Sequence, residues 1–238
     1  MSEAVAIDRA VEISAEHATL HGDLGVPENA AGIVVFAHGS GSGRHSTRNR
    51  FVAETLRQAR LGTLLLDLLT EDEERIDIRT REHRFDIDLL ASRVTAAIDW
   101  LARESASITA VLSRRTRVVR PLRFGVFGAS TGAAAALICG ARRANVVAAV
   151  VSRGGRPDLA GDILKQVQAP TLLIVGGEDD VVIELNRQAL AALTCIKRLE
   201  IVPGATHLFE ERGALDQVAR AASDWFTKYL AATPANTT

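Results

Sequence analysis

The sequence predicts one doubly wound α/β domain, on three observations: short apolar runs recur along the chain, segments of helical period separate them, and no linker-like stretch interrupts the series. The runs fall at 32–37, 63–69, 122–127, 146–152, 171–175 and 197–202 and are rich in Val, Ile and Leu. Continuous apolar character marks strands covered on both faces, so a mostly parallel sheet is expected, with right-handed crossovers. Ahead of the first run, 11–26 alternates loosely around Gly22 and Gly25 and reads as an opening antiparallel hairpin. The expected sheet therefore has about 7–8 strands.

The helices are read from apolar spacing. Ile87, Leu90, Val94, Ile98 and Leu101 fall three or four apart, as do Leu215, Val218, Ala222, Trp225 and Tyr229, and each set gives one stripe to lay on a sheet. Further helices are expected after Ser46, over 133–141 and over 183–193. Two charge-rich stretches, 71–84 and 104–121, are expected to be solvated loops, the first at the rim of any site at the strand ends.

Size and composition agree with this. The chain has 238 residues and 25.5 kDa, 47% hydrophobic and 24% charged, which suits a globular domain spanning 1–238 and excludes general disorder. The 28 Lys and Arg nearly cancel the 29 Asp and Glu, so no global field draws the protein to nucleic acid or an anionic membrane. Two cysteines, Cys139 and Cys195, are too few for a secreted disulfide scaffold. The start lacks the basic-then-apolar pattern of a signal peptide, no run nears the ~20 residues of a membrane helix, and the expected location is the cytoplasm. The strong preference for Arg over Lys, with abundant Ala, points to a GC-rich bacterial genome.

The chemistry centres on Gly128-Ala129-Ser130-Thr131-Gly132, directly after the run 122–127 and before the small-residue helix. In this Gly-x-Ser-x-Gly pattern the serine occupies a sharp, strained strand-to-helix turn, and the flanking glycines let helix and strand approach closely. A nucleophilic serine needs a base and the base an orienting acid, in the order serine, acid, histidine for this arrangement. The acids Glu178, Asp179 and Asp180 follow the strand 171–175. Of the six histidines, His17, His21, His38, His45 and His83 precede Ser130, so chain order selects His207. The tetrahedral intermediate also needs donors for its oxyanion. The glycine-rich His38-Gly39-Ser40-Gly41-Ser42-Gly43 after 32–37 can turn the Ser40 amide inward beside that of Thr131. The rival reading is a phosphate loop, but Arg44 stands where the third glycine of Gly-x-Gly-x-x-Gly belongs and no Gly-Lys-Ser/Thr follows.

With these motifs in order, the chain resembles the α/β-hydrolase superfamily and, within it, the dienelactone hydrolase-like family. The nearest likeness is to bacterial members sometimes fused to phosphoribosyltransferase domains. It rests on Ala37-His38-Gly39-Ser40-Gly41-Ser42, Leu65-Leu66-Asp67-Leu68-Leu69-Thr70, Val175-Gly176-Gly177 with Leu185-Asn186-Arg187, and Pro203-Gly204-Ala205-Thr206-His207-Leu208-Phe209. The resemblance implies an α/β-hydrolase fold and selects Asp179 as the acid over Asp180. It also exposes a departure, because true dienelactone hydrolases use a cysteine where Ser130 stands, so dienelactone itself is a doubtful substrate. Cys139 lies too far into the next helix to replace it. The segment 153–170 is too short for a helical cap, and a fairly open site is expected.

Arg153 follows the strand 146–152 at the same sheet edge and is a candidate substrate-binding residue, able to clamp a carboxylate. The more ordinary role, a surface arginine paired with Asp158 or Asp162, is the one expected of it. The basic group Arg44, His45, Arg48 and Arg50 has no interleaved aromatics and reads as a helix start rather than a nucleic-acid site. The combined expectation is a serine hydrolase of carboxylic esters, lactones or thioesters. Ser130 is the nucleophile, His207 the base, Asp179 its orienting acid, and the Ser40 and Thr131 amides the oxyanion donors. The partner is a small-molecule acyl substrate, and no metal or organic cofactor is implied. The alternatives are a non-catalytic ligand-binding protein of the same fold and a nucleotide binder using 39–43.

Overall fold

The structure, a computed structural model, describes residues 5–116 and 121–231, with side chains for all of these except 114–116. Its centre is one eight-stranded sheet in the order β1-β2-β4-β3-β5-β6-β7-β8. The strands are β1 (Val5–Ala15), β2 (Ala18–Pro27), β3 (Gly32–Ala37), β4 (Gly62–Leu66), β5 (Arg123–Ala129), β6 (Val147–Arg153), β7 (Thr171–Gly176) and β8 (Lys197–Val202). β1 and β2 form the expected antiparallel hairpin, β2 meets β4 antiparallel, and all later pairings are parallel. This is the α/β-hydrolase fold.

Six α-helices flank the sheet among the described residues: α1 (Thr47–Gln58), α2 (Glu71–Thr80), α3 (Ile87–Thr116), α4 (Thr131–Arg142), α5 (Asp180–Ala192) and α6 (Ala214–Leu230). Residues of β3 and β5 alternate between two cores, as strand geometry requires. Ile33, Val35 and Val126 join the α3 and α4 side with Val94, Ile98 and Leu137. Val34, Phe36 and Phe127 join the α1 and α6 side with Leu56, Trp225 and Phe226. Both faces of the central strands are covered, which is why those runs carry no polar alternation. No helix among the described residues is long and apolar enough to cross a membrane.

Two expectations are corrected. The stretch 71–84 is not a loop: 71–80 is α2, opened by a capping box in which Thr70 and Glu73 satisfy each other's backbone amides, with four acidic residues in the first turn to suit the helix dipole. Nor is 104–121 a loop, because α3 runs on to Thr116, carried by Ile108 and Leu112, both buried in the core. Residues 117–120 of that stretch lie outside the described residues.

Candidate active site

Ser130 sits between β5 and α4 with φ 51° and ψ −122°, a conformation that a non-glycine residue holds only when its surroundings enforce it. The glycines on either side explain the enforcement. A Cβ on Gly128 would come within 2.5 Å of the Ala133 Cα, and one on Gly132 would collide with the carbonyl oxygens of Ala37 and His38. The start of α4 therefore lies directly on the end of β3, and Ser130 is lifted, half-buried, to the carboxyl edge of the sheet. Its N–H donates to Arg153 O at 3.3 Å, and its carbonyl accepts from Arg156 N–H at 3.1 Å, which fastens the turn to the chain beyond β6.

Two further strand ends bring the predicted partners together. His207, in the loop after β8, and Asp179, after β7, are joined by a 2.7 Å hydrogen bond between His207 Nδ1 and Asp179 Oδ2. The Asp179 side chain is 17% exposed and that of His207 40%, so the acid lies inside and the imidazole faces outward. Asp180 opens α5 and is exposed. The His207 ring lies over the chain after β6: a Cβ on Gly154 would be 3.6 Å from His207 Cε1. Asn186, quoted above in the family motif, is fully buried and donates to Gly155 O at 3.0 Å and to Val182 O at 2.8 Å, tying α5 to that same turn. Sequence reasoning gave Asn186 no role, and its buried amide is what does the tying.

The glycine-rich loop arrives from the other side. A Cβ on Gly39 would be 2.9 Å from Ser130 Cβ, and Ser40 Oγ lies 3.2 Å from Thr131 Oγ1. Thr131 opens α4, so its N–H has no intrahelical acceptor. Behind the loop, Leu68 N–H donates to His38 Nε2 at 2.9 Å, which leaves His38 Nδ1 to donate to Gly39 O at 2.9 Å. Burial pushes the His38 pKa down, and the neutral ring serves as a tie between β3 and the chain after β4. Asp67 accepts the Arg44 N–H at 2.7 Å and pairs with the Arg44 guanidinium, so a protein carboxylate already uses part of the loop's donor set.

A cavity of about 220 Å³ opens between this loop and α2, lined by Ser40, Thr131, Leu69, Ile78, Leu90 and Arg84 among others. Its outer wall is fixed by Asp77, whose side chain is 2% exposed and which accepts from the His83 and Arg84 amides, each at 2.9 Å, and from the Arg84 guanidinium. Burial alone would raise the Asp77 pKa, but these donors outweigh it and hold the carboxyl below the usual range. The wall is thus a helix anchored by Asp77 rather than a loop, although most of its side chains remain exposed to solvent. Cys139 is buried in α4 with its thiol pushed up to about 12 by burial, which makes it an inert core residue. Among the described residues no three His, Cys, Asp or Glu side chains converge as a metal site would need.

Arg153 departs from the ordinary role expected of it. It is 8% exposed rather than a surface residue. Asp158 pairs with Arg156 and Asp162 with Lys165. The expected partners of Arg153 are therefore taken.

The model of the dienelactone hydrolase family matches residues 20–232. The chain belongs to the dienelactone hydrolase family. A solved dienelactone hydrolase from Anabaena variabilis is 55% identical, with a TM-score of 0.85 over 94% of this chain and 98% of that one. Est1E from Butyrivibrio proteoclasticus, 14% identical, shares the fold with a TM-score of 0.72 over 93% of this chain and 99% of its own. Two Mycobacterium tuberculosis proteins provisionally named phosphoribosyl transferases are 54% identical over 223 residues, 94% of this chain and 47% of theirs. The chain spans about half the length of these curated relatives. Within the dienelactone hydrolase family, the residue at the elbow of this member is a serine.

Proposed function

We propose that this family member is a serine hydrolase of carboxylic esters, lactones or thioesters. The observation that carries the reading is the His207–Asp179 hydrogen bond, formed at the same sheet edge as a serine in a strained elbow. Ser130 Oγ attacks the acyl carbon while its proton passes to His207 Nε2, and Asp179 holds the Nδ1–H side of the ring and stabilises the imidazolium. The carbonyl electrons move onto oxygen, where the Ser40 and Thr131 amides receive them. The intermediate collapses as His207 returns the proton to the leaving oxygen or sulfur, leaving an acyl-Ser130 ester. Water, deprotonated by the same imidazole, then releases the acid and restores the serine.

The cavity beside Ser40 and Thr131, about 220 Å³ and lined by Leu69, Ile78 and Leu90, supports a compact acyl group, since little apolar wall surrounds a longer chain. The transferase name of the mycobacterial proteins is not carried over, because the half that they share with this chain is the part that matches the hydrolase model. Against nucleotide binding by 39–43 stands Asp67, a carboxylate where a phosphate would have to sit. The test is kcat/KM for p-nitrophenyl esters of increasing acyl length, with Ser130→Ala as control. Short esters should be the better substrates and the variant nearly inactive. Preference for chains of twelve or more carbons would refute the compact pocket, and full activity in the variant would refute the mechanism.

A further inference from the structure

β8 is the last strand of the sheet, and among the described residues no strand lies beyond it. Its hydrogen-bonding pattern fixes which groups face that open side. Thr171 N–H donates to Ile196 O and Gly177 N–H to Val202 O, both at 2.8 Å, so the even-numbered residues over 196–202 turn their backbone groups toward β7. Lys197, Leu199 and Ile201 therefore turn three N–H and three C=O groups to the free edge, where no hydrogen bond among the described residues reaches them. An open edge of this kind is a template for another strand, and proteins usually guard it with charge, above all with lysine.

The guard on β8 is incomplete. Lys197 is drawn back from the edge, its Nζ donating to Leu193 O at 2.5 Å at the carboxyl end of α5. Ile196 and Ile201 are 61% and 39% exposed. The remaining charges, Arg198 and Glu200, have opposite sign, lie two residues apart on the α6 face of the strand and pair with each other at 2.8 Å. They border a cleft of about 340 Å³ against Arg220, Asp224 and Lys228 of α6.

We propose that β8 pairs antiparallel with β8 of a second copy of this chain, about a two-fold axis that passes through Leu199 perpendicular to the sheet. In this register Lys197 faces the partner's Ile201 and Leu199 the partner's Leu199, and each facing pair exchanges both backbone hydrogen bonds, so all the outward groups are met. Between those rungs Arg198 stands opposite the partner's Glu200, and Glu200 opposite the partner's Arg198, on the closely spaced pairs where opposite charge counts most. The neighbouring registers fail on both scores. An axis at Arg198 sets the two Arg198 side chains together and carries Ile201 past the amino end of the partner's strand. An axis at Glu200 sets carboxylate against carboxylate and puts Lys197 against the partner's Pro203, which has no N–H. The edge is thus complementary to itself, as a two-fold contact requires. Because the paired strands run in opposite directions, the two sets of Ser130 and His207 lie on opposite edges of the joined sheet, and both sites stay open.

The test is sedimentation equilibrium of the full chain over a concentration series from micromolar to submillimolar. The expected mass is twice the 25.5 kDa of one chain; a monomer at every concentration, or a mass that keeps growing past two chains, overturns the proposal. Ile201→Pro removes an outward N–H and leaves in place the N–H groups that bond to β7, so it should abolish the dimer while far-UV circular dichroism remains that of the folded chain. Arg198→Glu and Glu200→Arg each set like charges opposite one another and should weaken self-association about 10- to 100-fold. Mixed in equal amounts, these two variants should regain a dimer, because each offers the other opposite charge across the axis although neither has regained its own Arg198–Glu200 pair. Should Ile201→Pro not fold, the mixture decides alone. A wild-type dimer that survives all three substitutions lies at another surface and overturns the proposal, as do two charge variants that stay monomeric on mixing.

Discussion

The two flanks of Ser130 treat charge in opposite ways. On the α2 flank the buried and half-buried charges are matched: Asp77 with Arg84, Glu73 with Arg93, Asp67 with Arg44. On the α1 and α6 flank Arg153 is buried deeply, and its Nε and Nη1 have no hydrogen-bond partner among the described residues. The first pattern builds a wall, since paired and hydrogen-bonded groups fix the position of α2 against the glycine-rich loop. The second leaves a buried cation whose Nε and Nη1 meet no hydrogen-bond partner among the described residues. Burial alone therefore does not say how a charge is held; the pairing around it does.

The seam between the flanks carries the largest expected effects. His207→Ala should lose kcat by on the order of 10⁶, together with the rise of kcat/KM with pH that a neutral imidazole base requires. Adding Ser130→Ala should lower the rate scarcely further, since either change disables the same nucleophile. Asp179→Asn should cost on the order of 10⁴ and Asp180→Asn little, and steady-state kinetics that reversed this pair would move the acid by one residue. Additive losses in the double variant would show that another group is the base.

Stability measurements sharpen the contrast at smaller magnitude. Asp77→Asn, which breaks a buried pair on the wall, should destabilise the protein by about 3 kcal/mol in denaturant titration, whereas Arg153→Met, which removes a buried cation with two unpaired nitrogens, should not destabilise it. The acid limb should report Glu73. Burial would raise its carboxyl, but Arg93 and Thr70 overcome this and bring it down to about 2. A folded pKa below the unfolded value of 4.5 means that the contribution is complete above 4.5 and is lost as pH falls from there toward 2. Glu73→Gln should make the urea midpoint less dependent on pH across that window, and an unchanged slope would assign the acid limb to other carboxylates.

The parts of the fold that the sequence made legible are those written in local pattern. β3 and β8 run at 32–37 and 197–202 as expected, each closed by a glycine-bearing turn, His38-Gly39 and Pro203-Gly204, and the elbow at Ser130 is announced by its two glycines. β4 ends at Leu66, three residues short: the Leu68 side chain is buried in the core from beyond the strand, and its N–H donates to His38 Nε2 instead of to a neighbouring strand. α2 has scarcely any apolar stripe, and its helix is made by the Thr70-x-x-Glu73 box and the buried Asp77. The box stood in the sequence; the burial did not. α3 outran its reading because Ile108 and Leu112 continue the stripe more sparsely amid serines and arginines. For the site, the Gly-x-Ser-x-Gly pattern nominated Ser130, chain order His207, and the family motif Asp179. The missing partner of Arg153 is a tertiary fact: Asp158 and Asp162 lie close in sequence, and only the fold shows that Arg156 and Lys165 hold them.

The central claim, that Ser130 is an activated nucleophile, is tested most directly by covalent labelling. A fluorophosphonate probe should modify the wild-type protein once, at Ser130, as read by intact mass and peptide sequencing, and labelling should be nearly lost in His207→Ala although that variant keeps the serine. A folded wild-type protein that remains unlabelled, or one labelled equally fast with and without His207, would contradict the account.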